Sequence, residues 1–358
     1  MQKKYFYNVD TLRILFAIII VYYHLCPKLA DLFNGANSII YQNLVDISRD
    51  TYHIIACFFI ISGFFLYQTF INKKELSWFD FLKSKIARLW PVLAFSIVIT
   101  IIFFGINIFN AVINIMFLQC IGISFMYKGI NWFISPLFWG LLFYFYILKV
   151  FSQKHANLII AICTYFSFVG LINNFNGDFS RETFNCFFSG GMLIALANIG
   201  LGYFTGVFYG KIKDSADVCT SKIKRIFDFL FINTIEILCF GFLIYNFIFH
   251  KIDYQNKFIF VLVFTVMFLL FLKSKGILSA LFNSKWISYC GRYAYSIFVM
   301  QQIGFNILKN TLWKIPTFVS NAPLCISVSI AVTIIIGIVT YYAVELPAGK
   351  YLKKKFGI

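Results

Sequence analysis

Arg13 and His24 stand eleven residues apart in one apolar run, Val9 to Pro27. In an α-helix, at about 100° and 1.5 Å per residue, that spacing puts them on one face about 16 Å apart, with Asp10 on the same stripe. Ionisable groups inside a span cost roughly 2.5 to 3.5 kcal/mol each on insertion scales, so they line a protein interior or a water-filled path rather than face lipid. Histidine is the side chain suited to take a proton from a hydroxyl near neutral pH, and arginine offers fixed positive charge to phosphates or a developing oxyanion. Either role needs a polar cavity. The competing reading has Arg13 snorkelling to the interface and His24 capping the other helix end.

The chain around this pair is unusual. Of its 358 residues 60% are hydrophobic, 21% aromatic and 13% charged, where soluble domains carry about a quarter charged residues. The mean hydropathy is +0.81. This composition predicts an all-α, polytopic integral membrane protein in contact with membrane lipids and excludes an ordinary soluble domain. The net charge of +17 does not indicate a nucleic-acid partner, because Lys and Arg fall in short clusters between apolar runs, as cytoplasmic loops do. Lys3 and Lys4 precede the first run as in a signal peptide, yet that run holds Arg13 and His24 and no small-residue cleavage pattern follows, so it reads as a retained span. Nine cysteines are scattered singly, with no C-x-x-C pair and no Cys/His cluster of ligand spacing. They are expected as small buried hydrophobes, and no metal site is expected. No Pro/Gly/Ser-rich linker divides the chain, which reads as a single integral-membrane domain over residues 1–358.

The elements that must position the pair are spans. Ten apolar segments are long enough to cross, approximately 9–27, 51–71, 86–108, 132–149, 156–172, 183–209, 226–249, 258–272, 290–308 and 321–345. Segment 110–130 is ambiguous, weakened by Asn110, Asn114, Gln119 and its glycines. If it stays on one side, most of the Lys and Arg collect on a single face, led by loop 211–225 and by Lys353, Lys354 and Lys355; if it crosses, they divide almost evenly. The positive-inside rule therefore favours ten spans in the cell membrane with both termini cytoplasmic. Gly202, Gly206 and Gly210 recur every four residues and predict a close helix contact. Segment 276–289 reads as lying along the inner interface.

Further groups have chemical potential. Ser62 and Gly63 interrupt the aromatic run CFFIISGFF; they suit either a cavity wall or simple packing. Lys85 and Arg88, in the loop KSKIARLWP before the third span, suit phosphates of a cytoplasmic donor or a positive-inside anchor. Glu236 lies inside the seventh span, where it must be protonated, paired or in a cavity. His53 opens the second span beside Asp46, Arg49 and Asp50, and Arg181 with Glu182 share that outer side; a solvated loop explains both.

Together these motifs resemble the acyltransferase-3 family of membrane acyltransferases. The features are R-x10-H in the first span, F-F-x-x-S-G-F in the second, K-x-x-R with a nearby Pro before the third, and E-x-P at Glu345 to Pro347. NWFIS at 131–135, with Trp132 and Ser135, and the stretches ALANIGLGYFTG and YAYSIFVMQQ extend the resemblance over nearly the whole chain. It implies transfer of an acyl group, commonly acetyl from acetyl-CoA, to a hydroxyl of a surface or cell-wall glycan, by a ten-helix domain around a central cavity. It further implies that His24 is the essential histidine, Arg13 its paired arginine, and Lys85 with Arg88 the donor-binding motif. The chain departs from the family at Leu137, where many members carry a glutamate, and at Gln301, where many carry a histidine. The account then rests on His24, as general base or transient acyl carrier, with acyl-CoA held by Arg13, Lys85 and Arg88 as co-substrate and no tightly bound cofactor. The principal rival is a transporter or flippase of a lipid-linked saccharide, against which the absence of an internal repeat counts. A second is a non-catalytic partner that kept the scaffold, against which R-x10-H counts.

Overall fold

The computed structural model describes residues 5–30, 53–105, 107–120, 130–175, 183–184, 188–214, 222–249 and 257–358. In chain order its helices are α1 (Tyr7–Ala30), α2 (His53–Asn72), α3 (Trp78–Phe104), the short α4 (Ile108–Ile115), α5 (Ile134–Val150), α6 (Gln153–Phe175), α7 (Gly190–Asp214) and α8 (Lys222–Phe249). There follow α9 (Lys257–Lys273), the short α10 (Ile277–Leu281) and α11 (Lys285–Cys290), α12 (Ala294–Asn310), α13 (Pro316–Val319), α14 (Ala322–Thr340) and α15 (Leu346–Phe356). A two-residue antiparallel pairing, Thr183–Phe184 with Phe188–Ser189, precedes α7. Eight of the described helices are long and apolar enough to cross a membrane, α9 contains a shorter apolar helix, Phe258–Lys273, and α12 has 17 residues. The protein is thus an all-α polytopic membrane protein, and its helices coincide with the ten apolar segments of the sequence.

Both chain ends lie at one end of the bundle. Asp10 on α1 rests against Gly291, just before α12, and Gly349 on α15 approaches the carbonyl of Ala87 on α3. Helix α1 is a wall shared by two apolar clusters. Val9, Leu12 and Ile20 join a large cluster with α2, α3, α5 and α7. Ile14, Val21, Leu25 and Leu29 join a second one with Ile297, Phe305 and Leu308 of α12 and Cys325 of α14. The Arg13–His24 stripe runs between those two faces, so it is held toward the interior of the bundle.

Because lipid is as apolar as leucine, helices in a bilayer associate through close packing rather than hydrophobic expulsion. The most extensive contact here, α2 on α7, uses glycine to achieve it. A methyl at Gly63 would collide with the carbonyl of Ile199, one at Gly202 with the carbonyl of Ile60, and one at Gly206 with the ring of Tyr67. The same helix α7 receives a hydrogen bond from Tyr144 of α5, whose hydroxyl donates to the Leu196 carbonyl at 2.8 Å. The glycine repeat is a packing device, and Gly63 is committed to it.

One region differs from the sequence expectation, and an ambiguous one is narrowed in the favoured direction. Helix α3 begins at Trp78, eight residues earlier than the apolar run, because Ser77 caps it: its hydroxyl accepts from Asp80 N–H at 3.0 Å and donates to the Asp80 carboxylate at 2.7 Å. Lys85 and Arg88 are therefore on a helix, not in a loop. Segment 110–130 contributes α4, which at eight residues is about 12 Å long and too short to cross. It then turns at Phe117, in the left-handed region at φ 59°, and the Phe117 carbonyl accepts from Ser135 Oγ at 2.6 Å and Trp139 Nε1 at 2.9 Å. Residues 121–129 lie outside the described residues. Helix α5 starts deep in the bundle: Phe133, just before it, meets the ring of Phe298 on the second turn of α12 at 4.2 Å.

If close approach makes the α2–α7 contact, Gly202→Ala should destabilise by about 1–3 kcal/mol through overpacking. Gly241→Ala, with open space around it, should stabilise by up to about 1 kcal/mol through helix propensity. Thermal unfolding of the two variants in detergent reads the difference, and equal melting temperatures would contradict it.

Candidate active site

Charge gathers at the chain-end side of the bundle. Arg13 pairs with Asp10 one turn away at 3.0 Å, both mostly buried. Across from them, on α3, Arg88 faces Arg13, Asp10, Glu345 and Tyr295, and Lys85 faces Arg88, Arg13 and Lys73. Arg88 keeps accessible surface although it lies among these groups from four elements, so the cluster borders a recess rather than a closed core. Lys85 is steered by a cation–π contact, its ammonium 4.7 Å above the Phe81 ring, which itself stacks on Phe145 at 3.9 Å.

Glu345 reaches the cluster through a local irregularity. Pro347 has no N–H to return to the carbonyl four residues earlier, and the chain responds with a π-helical turn over Tyr341–Glu345, in which Leu346 N–H bonds the Tyr341 carbonyl five residues back. The carboxylate so presented accepts from Ser296 Oγ at 2.5 Å, while the neighbouring Tyr295 hydroxyl donates to the Leu89 carbonyl at 2.5 Å. Three cations thus meet two carboxylates, leaving the recess net positive and able to hold a phosphate-bearing ligand.

His24 stands apart from this cluster, in the far half of α1. Helices α1 and α12 run side by side in one direction, since Asp10 abuts Gly291 and the Lys28 ammonium lies 6.0 Å from the Phe305 ring centre. His24 therefore comes to the level of Gln302 and Asn306 on α12, which are joined by a 3.3 Å amide hydrogen bond. His24, Gln302 and Asn306 are all partly exposed. Between the two polar levels the bundle is shut: Ala17 is 0% and Ile20 1% exposed on the stripe itself, and Phe298 and Phe133 are likewise buried.

The remaining sequence candidates are distributed as follows. Ser135 and Trp132 begin α5 near mid-depth, level with Phe298; Ser135 fixes the turn at Phe117, and Trp132 packs on Gly191 of α7. Ser62 is half-buried on α2, and no hydrogen bond among the described residues links it to the charged cluster. Glu236 is wholly buried on α8 and, with Asn233, receives the first N–H groups of α10: Ile277 N–H donates to Asn233 Oδ1 at 2.7 Å and Ser279 N–H to Glu236 Oε2 at 3.2 Å. Capping a helix meets part of its cost in the membrane through Oε2, while Oε1 has no hydrogen-bond partner among the described residues. His53 is buried at the start of α2, lining an apolar pocket of about 200 Å³ with residues of α1, α8 and α9. Asp46, Arg49, Asp50, Arg181 and Glu182 lie outside the described residues. Sequence reading missed Tyr295, Ser296, Gln302 and Asn306. The spacing of 295, 302 and 306 by seven and four residues marks one helix face and was the available signal.

With this geometry in view, the comparison with known proteins is specific. Residues 6–342 match the family model described as an acyltransferase domain, so the chain is a membrane acyltransferase. It belongs to the acyltransferase-3 family. Neither the curated proteins nor the solved structures contain a match to it.

The recess itself can be tested without any assay of turnover. Glu345→Gln keeps an acceptor for Ser296 and removes a negative charge, so pyrophosphate should bind several-fold tighter; Arg88→Gln should weaken it about tenfold. Both differences should shrink in high salt, where exposed charges are screened. Calorimetry on the purified protein measures this, and three equal affinities would remove the cluster as an anion site.

Proposed function

We propose that the protein moves an acetyl group from acetyl-CoA to a hydroxyl of a cell-surface glycan on the far side of the cell membrane. The observation that carries this reading is the single stripe of α1, with a cationic recess at Arg13, Lys85 and Arg88 and an accessible imidazole about 16 Å further along the helix. The loop charge supports placing both termini, and hence the recess, in the cytoplasm. The recess binds the phosphates of the donor, and the thioester extends toward His24. The acceptor hydroxyl approaches His24 from the opposite side.

His24 takes the hydroxyl proton as the acceptor oxygen attacks the thioester carbonyl; the carbon–sulfur bond then breaks and the proton passes to the departing CoA thiolate. Holding both reactants in one shielded place supplies a large part of the acceleration. Asp10 orients Arg13, and Ser296 orients Glu345, so the recess keeps its shape when no donor is present.

In proteoliposomes loaded with labelled acetyl-CoA, His24→Ala should cut transfer to glycan by at least about 100-fold while leaving CoA binding intact. Lys85→Ala and Arg88→Ala should mainly raise the KM for acetyl-CoA. Full transfer by His24→Ala would refute the role given to His24. Label retained on acid-quenched wild-type protein, and lost with His24, would make the histidine an acyl carrier instead of a base. For orientation, a lone cysteine at Lys354 in a cysteine-free background should react with an impermeant reagent only after the cells are opened. Labelling of intact cells would invert the topology.

A further inference from the structure

Gln301 is 0% exposed at the middle of α12, and among the described residues neither its amide nitrogen nor its amide oxygen has a hydrogen-bond partner. A buried donor and acceptor left unmade cost about 1–3 kcal/mol, and native proteins rarely carry both on one side chain. The residue occupies a defined place. Ala294, Ile297, Gln301, Phe305 and Leu308 alternate by three and four residues, and Ile297, Phe305 and Leu308 of that row pack against Ile14, Val21 and Leu25 of α1. Gln301 is thus the polar member of an otherwise apolar seam facing α1. It lies between the level of Tyr295, which bonds to Leu89 beside Arg88, and the level of Gln302 and His24.

We propose that Gln301 is a receptor for a secondary amide of the donor's pantetheine arm. This rests on the reading of acetyl-CoA as donor. An arm anchored by its phosphates at Arg13, Lys85 and Arg88 and delivering its thioester to His24 must pass Gln301, one residue before the His24 level, and the group it carries just before the thioester is an amide. A primary carboxamide matches a secondary amide donor for acceptor: Gln301 Nε2 donates to the arm's carbonyl oxygen, and Gln301 Oε1 accepts the arm's N–H. The seam is closed without donor, so the arm enters by parting it, and the two unmade hydrogen bonds of Gln301 favour the open, occupied state.

The test compares CoA with its nucleotide fragment, which lacks the arm, by calorimetry on wild-type protein, Gln301→Leu and the near-isosteric Gln301→Met. Both variants should bind CoA about tenfold more weakly, the equivalent of one to two lost hydrogen bonds. They should bind the nucleotide fragment as wild type does. Their melting temperatures should hold or rise, because removing an unpaired buried amide removes a desolvation cost. Undiminished CoA affinity in the variants overturns the proposal. So does a parallel fall in melting temperature and in affinity for both ligands, which is the signature of a structural residue. Wild-type protein that binds neither ligand refutes the donor assignment itself, a result distinct from either variant outcome.

Discussion

The structure depends on the cost of holding charge inside a membrane. Arg13, Lys85 and Arg88 would each face a penalty of several kcal/mol in hydrocarbon, and they are tolerated because Asp10 and Glu345 face them and because Arg88 keeps accessible surface. Meeting that requirement takes four elements. Helix α1 brings Asp10 and Arg13, α3 brings Lys85 and Arg88, α12 brings Ser296, and the π-helical turn after α14 brings Glu345. The late E-x-P motif is intelligible in these terms: proline forces the turn, and the turn puts a carboxylate where three cations need one.

Helix α1 can serve this recess at one end and His24 at the other because it is clamped on two faces. Each apolar cluster takes one side of it, and the stripe between them is left for chemistry. The interlocked glycines of α2 and α7 do not touch the recess, yet they draw the large cluster together behind α1. Rigidity on one side and an aqueous recess on the other are complementary demands, and the division of the helix surface meets both.

Much of the fold was legible in the sequence because a bilayer imposes one strict rule, about twenty apolar residues per crossing. The ten segments read from apolarity match the observed helices within a few residues at most ends. The clearest difference falls where another force competes. Helix α3 extends two turns into charged sequence because a Ser–Asp cap sustains it, and hydropathy does not register caps. Segment 110–130 is apolar enough to be ambiguous, and loop charge favours its not crossing; its described part forms only the short α4 and a turn whose Phe117 carbonyl is held by side chains of α5. Of the candidate site, the cluster of Asp10, Arg13, Lys85, Arg88 and Glu345 was legible as separate motifs, and folding unites them. Ser296 and Tyr295 were not, since a serine or tyrosine among apolar residues has no chemistry until its partner is known. Glu236 was flagged for its cost, and the compensating partner, the N-terminus of α10, lies some forty residues away in sequence.

The closed level between the two polar regions has a functional logic of its own. A permanently open path from the recess to His24 would join two aqueous compartments, and water on that path would compete with the acceptor hydroxyl for the thioester. Ala17, Ile20, Phe133 and Phe298 are buried at that level, so under the proposed function a path would exist only while the donor fills it. Transfer across a sealed bundle then calls for a long, thin donor whose reactive end travels while its charged end stays behind. An extended arm on a phosphate-bearing head has that shape, and a bundle with charge at one end, an imidazole at the other and an apolar constriction between them is complementary to it.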